Sequence, residues 1–474
     1  MSRVARWVLV GLFGCIVIAS GLSAKLVGDE LRVGYFQVDA TPPLGSPMAY
    51  DPCTGVTDPL SLRGVVILGS GKPVVLAAID WLGVANDAHD DFCERLAQSL
   101  GTDKERVSLH ALHQHDAPRY DIESMRLLEQ AGSTKMSYDR MLWQRVVSDC
   151  IEAVKNAAEK ATVADHVGYS EAEVKEVASN RRLLDTAGKV VVTRFTATAD
   201  ASVRAMPVGT IDPKLRMISF WNGDKPIVAM SYYATHPQSY YRTGKASTDF
   251  PGIARDNYSA KSGVPLVHFN GAAGNVGAGK WNDGSKENRA VLASKVEDGM
   301  KRAWDAMEKR KIRAEDVEWK SIPVKLKPAA HLQKEKLEAI VADGSSDPVG
   351  RLSAAEHLSY LLRFERGGVI DLGRLRLGDL QVLHMPGELF VEYQLAAAKM
   401  VPGGRVAMAA YGNYGTMYIG TAIAYQQGGY ETSQRATCVD ADAEKILVKA
   451  MAELLGAKGD LPGPLGVPAD APVK

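Results

Sequence analysis

The fold class is decided by the stretch Pro73-Val-Val-Leu-Ala-Ala-Ile-Asp80, followed by a helical pattern from Asp90 to Leu100 and then by Val107-Ser-Leu-His-Ala-Leu112. The first and last segments are short apolar runs, which are typical of strands buried in a sheet. Alternation of such strands with helices favours a mixed, largely parallel sheet with helices on its faces.

The same alternation extends along most of the chain. Further strands are predicted at Val190–Ala197, Ile227–Ala234, Pro265–Phe269, Gly373–Leu377, Leu380–His384 and Arg405–Ala410. Further helices are predicted at Ser137–Ala161, Lys286–Met307, Leu389–Met400 and Asp440–Leu455. The more polar stretch from Lys309 to Glu365 is either an insertion over the site or a solvated surface excursion. With no internal repeat and no clean linker, we expect a single large α/β domain, a layered mixed sheet flanked by helices.

Composition narrows the functional classes. The 474 residues are 46% hydrophobic and 24% charged with a formal net charge of zero, so the sequence offers no electrostatic case for nucleic-acid binding. The cysteines at 53, 93, 150 and 438 form no C-x-x-C pair, which argues against a thiolate metal site. Cys93 and Cys150 lie in helical patterns and are expected to be buried apolar residues.

The two ends of the chain have patterns of their own. Residues 1–24 combine Arg3 and Arg6, an apolar run from Trp7 to Ala19 and small residues after it, as in a secretory signal. An uncleaved N-terminal membrane anchor is the alternative. We expect export to the periplasm or medium, a domain over residues 25–457, and a disordered tail over 458–474.

Residues suited to a metal follow four of the predicted strands. His113 and His115 follow the strand that ends at Leu112, and His236 follows Ile227–Ala234. Glu388 follows Leu380–His384, and Tyr418 comes after the strand that ends at Ala410. Ligands of open α/β sheets bind beyond the carboxyl ends of strands, so these side chains are expected to converge.

Imidazole and carboxylate are groups that zinc accepts, commonly as three protein ligands plus a water. An isolated H-x-H pair or a lone histidine is more often structural, so the interpretation as metal ligands depends on these side chains meeting at one place. The glycine-rich loop from His268 to Gly279 lacks the Gly-Lys-Ser/Thr ending of a phosphate-binding loop. It predicts either a tight turn packed under a helix or direct contact with substrate.

Short motifs between Leu31 and Leu455 carry a family resemblance. They are Val33-Gly-Tyr-Phe-Gln-Val-Asp-Ala-Thr-Pro-Pro43, Ser61-Leu-Arg63, His113-Gln-His115-Asp116-Ala-Pro118, Asn180-Arg181, Thr235-His236-Pro237, Pro386-Gly387-Glu388, Asn413-Tyr-Gly-Thr-Met-Tyr418-Ile and Gly429-Tyr430-Glu431. In this order and spacing they resemble the neutral/alkaline non-lysosomal ceramidases, which are zinc amidases that split the amide of N-acylsphingosines.

The resemblance implies a set of roles. It places the ligands of one zinc ion per chain at His113, His236, Glu388 and Tyr418, the last of these almost wholly on resemblance. It places active-site groups at His115, Arg181 and Tyr430. A metal-activated water would attack the amide carbon, His115 would transfer a proton to the leaving nitrogen, and Tyr430 and Arg181 would stabilise the oxyanion.

Three departures from the family pattern bear on the substrate. The family's G-D-x-S-P-N segment, which carries a serine essential for ceramide cleavage, is here Gly274-Asn-Val-Gly277-Ala-Gly279, so Gly277 stands at the serine position. Asp116 replaces a small residue after the H-x-H. The chain ends soon after the catalytic region, so the immunoglobulin-like C-terminal domain of full ceramidases is expected to be absent.

The predicted function is therefore a zinc-dependent amidase of the ceramidase type, acting on a small-molecule or lipid amide with peripheral membrane contact. Two other classes stay open. One is an exported zinc-binding protein of the same fold that has an altered substrate, such as an ester or a non-lipid amide, or has lost catalysis. The other is a metal-dependent phosphoesterase, which would usually need a carboxylate-rich site for two metal ions.

Overall fold

The computed structural model describes residues 30–133, 137–459 and 461–466, and the strands in these ranges form three main sheets. The predicted signal or anchor at 1–24 lies outside the described residues. In the described part of the tail, Leu465 is buried and its backbone N–H donates to Glu444. The described residues form a single α/β domain, as the sequence predicts.

The first sheet has the strand order Val107–Ala111, Gly71–Ile79, Ser61–Gly69, Arg32–Asp39 and Thr162–Val163. The second has the order Leu266–Asn270, Lys225–Tyr233, Lys214–Asn222, His166–Glu173 and Glu308–Lys311. The third has the order Val406–Ala409, Leu380–His384, Ile370–Leu377 and Val317–Val324.

The three sheets share one topology. In each, two strands form a hairpin, a helix crosses over, and a further strand joins the second hairpin strand in parallel at the sheet edge. The crossover helices are Asn86–Leu100, Asp249–Ser262 and Val391–Met400. A second helix of each unit then packs on the antiparallel strands, namely Arg140–Glu159, Asn288–Asp305 and Asp442–Leu455. The same arrangement of strands and helices thus occurs three times, although the sequence shows no internal repeat.

The prediction of a largely parallel sheet is wrong, because each main sheet contains only one parallel pair. The hairpins are closed by very short turns, which force antiparallel pairing. Gly71, Gly223 and Gly378 at these turns all have positive φ, at 88°, 56° and 65°. Glycine adopts this region without strain. The glycines were visible in the sequence, but their signal was weaker than the alternation of strands and helices.

Apolar side chains form two layers of core. An inner cluster lies between the sheets and includes Val65 of the first, Met230 of the second and Val382 of the third. A larger outer cluster lies between the sheets and their helices and contains Cys93 and Cys150. These two cysteines are buried and free, which confirms the interpretation of their helical patterns.

The remaining elements are short or lie outside the main sheets. The additional helices are Ile122–Gln130, Ala201–Ala205, Lys334–Ala342, Pro348–Glu365 and Ala422–Gln427. The minor strands are Gly55–Val56, Gly83–Val84, Arg119–Tyr120, Ser179–Asn180, Arg182–Leu184, Val190–Thr193, Lys245–Ala246, Val276–Gly277, Glu388–Leu389 and Tyr418–Ile419. Single 3₁₀ turns lie at Lys104–Arg106, Ala314–Asp316 and Tyr414–Thr416.

Two sequence predictions need correction here. Val190–Ala197 is shorter than predicted and pairs only with Arg182–Leu184 in a small hairpin. The stretch from Lys309 to Glu365 is not a solvated surface excursion, because it supplies Val317–Val324 to the third sheet. Its helix Pro348–Glu365 lies over the cavity that His113 and Glu388 also line. Within the residues that the structure describes, no helix combines the length and apolar character needed to cross a membrane.

Candidate metal centre

His113 and His236 follow strands of two different sheets and face one another. His113 follows the edge strand Val107–Ala111 of the first sheet and adopts a positive φ of 70°. Its Nδ1 lies 2.8 Å from the carbonyl of Leu82, and Nδ1 of His236 lies 2.7 Å from the carbonyl of Ala273. A carbonyl only accepts, so each ring donates through Nδ1 and a neutral ring keeps a lone pair at Nε2.

Glu388 approaches these rings from a short strand that follows Leu380–His384 of the third sheet. The short strand Glu388–Leu389 pairs in parallel with Tyr418–Ile419, so Glu388 and Tyr418 are direct cross-strand neighbours. Oε2 of Glu388 lies 2.9 Å from Nε2 of His236 and 3.3 Å from Nε2 of His113. The Tyr418 hydroxyl lies 3.3 Å from Nε2 of His236. The four side chains predicted as metal ligands therefore meet at one buried place.

The chemistry of this group fits a cation. Two imidazole lone pairs face one carboxylate oxygen, and three such acceptors repel one another unless a proton or a metal ion lies among them. Burial is the main cause that lowers the pKa of His236, which disfavours its protonation. Hydrogen bonds from Nδ1 to backbone carbonyls are the usual way to orient a metal-binding histidine.

His115 lies beside this group, and its role is open to two geometric interpretations. Ring nitrogens of His113, His115 and His236 all lie within 4.8 Å of one another, so the three imidazoles alone could hold a metal. However, Glu388 is closer to His113 and His236, and Nδ1 of His115 is engaged by Gln238 at 2.8 Å and Tyr50 at 3.0 Å. Glu388 is therefore better placed than His115 to complete a set with His113 and His236, and His115 lies at the border of this set.

Arg181 is the cation nearest to the group. Its Nη1 donates to the Tyr418 hydroxyl at 3.0 Å, and its Nε lies 3.4 Å from Oε1 of Glu431. Arg182 also pairs with Glu431, at 3.1 Å. Burial raises the pKa of Tyr418 well above its usual value although Arg181 opposes the shift. Burial thus keeps the phenol in its neutral form.

A cavity of about 1130 Å³ leads from the surface to the metal centre. His113, Glu388 and Tyr418 lie in its wall together with His115 and Tyr430. The ring of Tyr430 meets that of Tyr418 edge-on, with centroids 5.8 Å apart. The cavity thus brings the predicted active-site imidazole and phenol to the same space as the ligands, and we call it the site cavity.

The glycine-rich loop supports the ligands from behind. Its carbonyls at Ala273 and Val276 accept from His236, and the carbonyl of Asn275 accepts from the backbone N–H of Arg181. Gly277 lies beside both side chains: a Cβ placed there would be 3.5 Å from Cβ of His236 and 3.7 Å from Cδ of Arg181. These are ordinary contacts, so the backbone leaves room for a serine.

Two buried carboxylates near the histidines do not contact them. Asp80 is paired with Arg255 at 2.7 Å. Asp249 is bound to Arg289 and to the backbone of Ser239. Four tyrosines flank His236 in the sequence, and of these only Tyr241 lines the site cavity. Tyr232 and Tyr233 are buried in the cores, and Tyr240 stacks on Arg289.

Asp116 forms hydrogen bonds with a loop next to the site. Its carboxylate accepts from the backbone N–H groups of Arg242 and Thr243 and from the Thr243 hydroxyl. It therefore fixes the loop that carries Tyr241.

Tyr414 and Tyr411 were missed in the sequence. The Tyr414 hydroxyl donates to Oε1 of Glu388 at 2.8 Å, and the Tyr411 hydroxyl lies 3.5 Å from Nδ1 of His236. Tyr411 follows the strand Val406–Ala409 with a positive φ of 60°, as His113 does after its own strand. A bulky residue directly after a buried strand was the signal that could have identified it.

Sequence comparison alone finds no relative: no protein-family model matches the chain, and no curated protein does. Comparison of structures does. A solved structure described as a ceramidase complexed with C2 superposes with a TM-score of 0.63 at 15% identity, over 92% of this chain and 77% of that one. Neutral ceramidase from Pseudomonas aeruginosa gives a TM-score of 0.63 at 17% identity, over 92% of this chain and 76% of its own. The chain therefore has the fold of the neutral ceramidases.

Proposed function

We propose that the chain is a zinc-dependent hydrolase of the neutral ceramidase type that cleaves an N-acyl amide bond. The observation that carries the proposal is the convergence of His113, His236 and Glu388 from three different sheets, with both imidazoles oriented by backbone carbonyls. Tyr418 completes a set of four ligands for one ion. The ceramidase fold of the chain supports the same reaction class.

Zinc held by these residues would polarise a carbonyl and lower the pKa of a water molecule. The chain supplies the remaining groups. His115 lines the site cavity, and its Nε2 is buried without a protein partner, so this nitrogen is available to move a proton between water and the leaving nitrogen. Gln238 and Tyr50 hold the other ring nitrogen and so fix the orientation of the ring.

Charge that develops on the amide oxygen needs donors in a site closed to water. Arg181 is buried and fully charged at neutral pH, and Tyr430 lies in the wall of the cavity. Both are donors, and Glu431 keeps the guanidinium in place from its far side. We assign them the stabilisation of the oxyanion.

The substrate is proposed to be a small-molecule or lipid amide, since one structural neighbour carries C2 and the site cavity is deep and partly apolar. Gly277 favours a second candidate within the same fold: an exported zinc-binding protein with an ester or non-lipid amide as substrate, or without catalysis. At this position no side-chain hydroxyl can reach the substrate. Export itself rests on the pattern of residues 1–24.

Metal analysis and amide hydrolysis test the proposal together. We expect one zinc ion per chain and turnover of fluorogenic N-acyl amides by the wild type. Glu388→Gln keeps the shape of the side chain but weakens a ligand, and should lower kcat/KM by at least about 100-fold, because the metal contributes several kcal/mol to such reactions. His113→Ala should abolish turnover as well.

Each alternative predicts a distinct result. Melting curves of the variants establish that they remain folded. Unchanged turnover in a folded Glu388→Gln or His113→Ala protein would rule out the proposed mechanism. One bound zinc without turnover of any amide or ester favours the binding protein, and two metal ions per chain favour the phosphoesterase.

A further inference from the structure

Exposed apolar side chains are concentrated at the mouth of the site cavity. Five of the twelve large apolar side chains that are exposed in the described residues line this one cavity: Leu44, Tyr50, Met141, Val349 and Tyr430. Leu44, Met141 and Val349, which we call the rim, are 74%, 73% and 59% exposed. Clusters of this kind on a folded protein mark an interaction surface.

We propose that the rim docks on the surface of a phospholipid bilayer and that the amide substrate passes from the bilayer into the site cavity. The inference rests on the proposed function, since it names how that substrate reaches the site.

The rim is assembled from three separate parts of the chain. Leu44 lies in the loop before the strand Ser61–Gly69, Met141 in the first turn of Arg140–Glu159, and Val349 in the first turn of Pro348–Glu365. None of these positions contributes to either core cluster. Removing a leucine or methionine side chain from water is worth about 1.5–3 kcal/mol, so a bilayer that covers all three would gain substantially.

The chemistry of the mouth favours lipid over a protein partner. A protein that covered residues from all three segments would close the cavity, whereas a fluid bilayer covers them and still delivers an acyl chain into it. Tyr50 and Tyr430 belong to the amphipathic aromatic type that sits at the level of lipid headgroups.

The charges at the mouth do not select one kind of headgroup. Arg140 is paired with Glu129 at 2.9 Å, and Arg242 is paired with Asp51 at 3.7 Å. Arg435 also lines the cavity and is exposed, with no carboxylate within 4.0 Å among the described residues. Docking through the apolar rim itself should therefore be seen on phosphatidylcholine, whose headgroup carries no net charge.

A site-specific fluorophore tests the docking in the full chain. The cysteines that the structure describes are all buried, so an introduced surface cysteine can be labelled selectively in a Cys15→Ala background. Met141→Cys carries the dye on the rim, and Val291→Cys carries it at an exposed position outside the cavity. With phosphatidylcholine vesicles we expect a blue shift of an environment-sensitive dye at 141 and none at 291. Because both variants share the same N-terminus, a tether through residues 1–24 cannot produce the difference.

The introduction of negative charge at the rim supplies the second arm. Leu44→Glu with Val349→Glu, in the Met141→Cys background, should abolish the blue shift. Val56→Glu, at an exposed position outside the cavity, should leave it intact. Glutamate in the first turn of a helix is favourable at position 349, so the variant is expected to fold. An equal shift at 291, or a shift at 141 that needs no vesicles and grows with protein concentration, would overturn the proposal; the latter would indicate a second copy of the chain.

Turnover separates this inference from the proposed function. The rim variants should hydrolyse a soluble short-chain amide within about twofold of the wild type, but a long-chain amide embedded in vesicles about tenfold more slowly, since binding scales with inserted apolar area. If the wild type cleaves neither substrate while the blue shift persists, the docking stands and the amidase proposal fails. If both substrates are cleaved equally by wild type and rim variants, the docking fails.

Discussion

Tyr414→Phe tests whether the metal centre depends on the residue that holds the second oxygen of Glu388. The Tyr414 hydroxyl donates to Oε1 at 2.8 Å, and Glu388 is almost completely buried. Removal of the hydroxyl leaves a buried carboxylate oxygen without this donor. A hydrogen bond to a charged group contributes about 1.5–3 kcal/mol, which corresponds to about 10- to 150-fold in an equilibrium constant. We therefore expect zinc affinity to fall by one to two orders of magnitude, within the usual range for residues behind a ligand.

The assay is competition for zinc between the protein and a chromogenic chelator at constant pH. Tyr232→Phe is the control, because it also removes one tyrosine hydroxyl, and that hydroxyl is buried and donates only to the sulfur of Met230, at 3.6 Å. Both variants should keep the fold, so the melting temperature of the metal-free proteins should change little. If Tyr414→Phe binds zinc within about twofold of the control, the hydrogen bond does not position Glu388 and the reasoning is refuted.

Three further predictions concern the metal, the missing serine and acid stability. Chelation of the metal should lower the melting temperature and zinc should restore it, but Glu388→Gln should show a much smaller response to zinc. Gly277→Ser should fold normally, because its Cβ would lie at an ordinary contact distance of 3.5 Å from His236. It should raise turnover of long-chain amides by about tenfold through one added hydrogen bond. Unchanged turnover would show that the missing hydroxyl does not limit turnover at this site. Burial lowers the pKa of His110 and His268 to about 3 in the folded state, so only the unfolded chain gains these protons as pH falls below about 6.5. Each of these two histidines should therefore lower the free energy of unfolding by up to about 1.4 kcal/mol for every unit by which the pH falls between 6.5 and about 3. A urea midpoint of the metal-free protein that stays constant from pH 7 to 5 would contradict this.

The sequence predicted the convergence of the site residues better than the architecture. His113, His236 and Glu388 each follow a buried apolar run, and such runs are short enough to locate within a residue or two. The strand Leu380–His384 occupies the predicted residues, and the helix Asp442–Leu455 ends before Gly456 as predicted. Side chains at the ends of such strands were expected to meet, and that expectation does not require knowing which sheet each strand joins.

The arrangement of the sheets could not be predicted, because apolar runs do not reveal their partners. A strand buried on both faces looks the same in a parallel or an antiparallel pair. The same limit explains Asp80, which follows a strand in the same way as Glu388 but lies opposite Arg255. Whether a carboxylate at a strand end meets an imidazole or a guanidinium depends on which helix packs there.

The repeated architecture bears on the proposed metal centre. The group takes one residue from behind a strand of each main sheet, namely His113, His236 and Glu388, so it forms only after all three units have docked. Nη1 of Arg181 lies 3.3 Å from Nε2 of His236 and already places one cation beside the group. Under the proposed function, a metal ion held by these residues would bind only the assembled state and would add its binding free energy to the folded state. Metal binding and the docking of the three sheets would then be one coupled equilibrium.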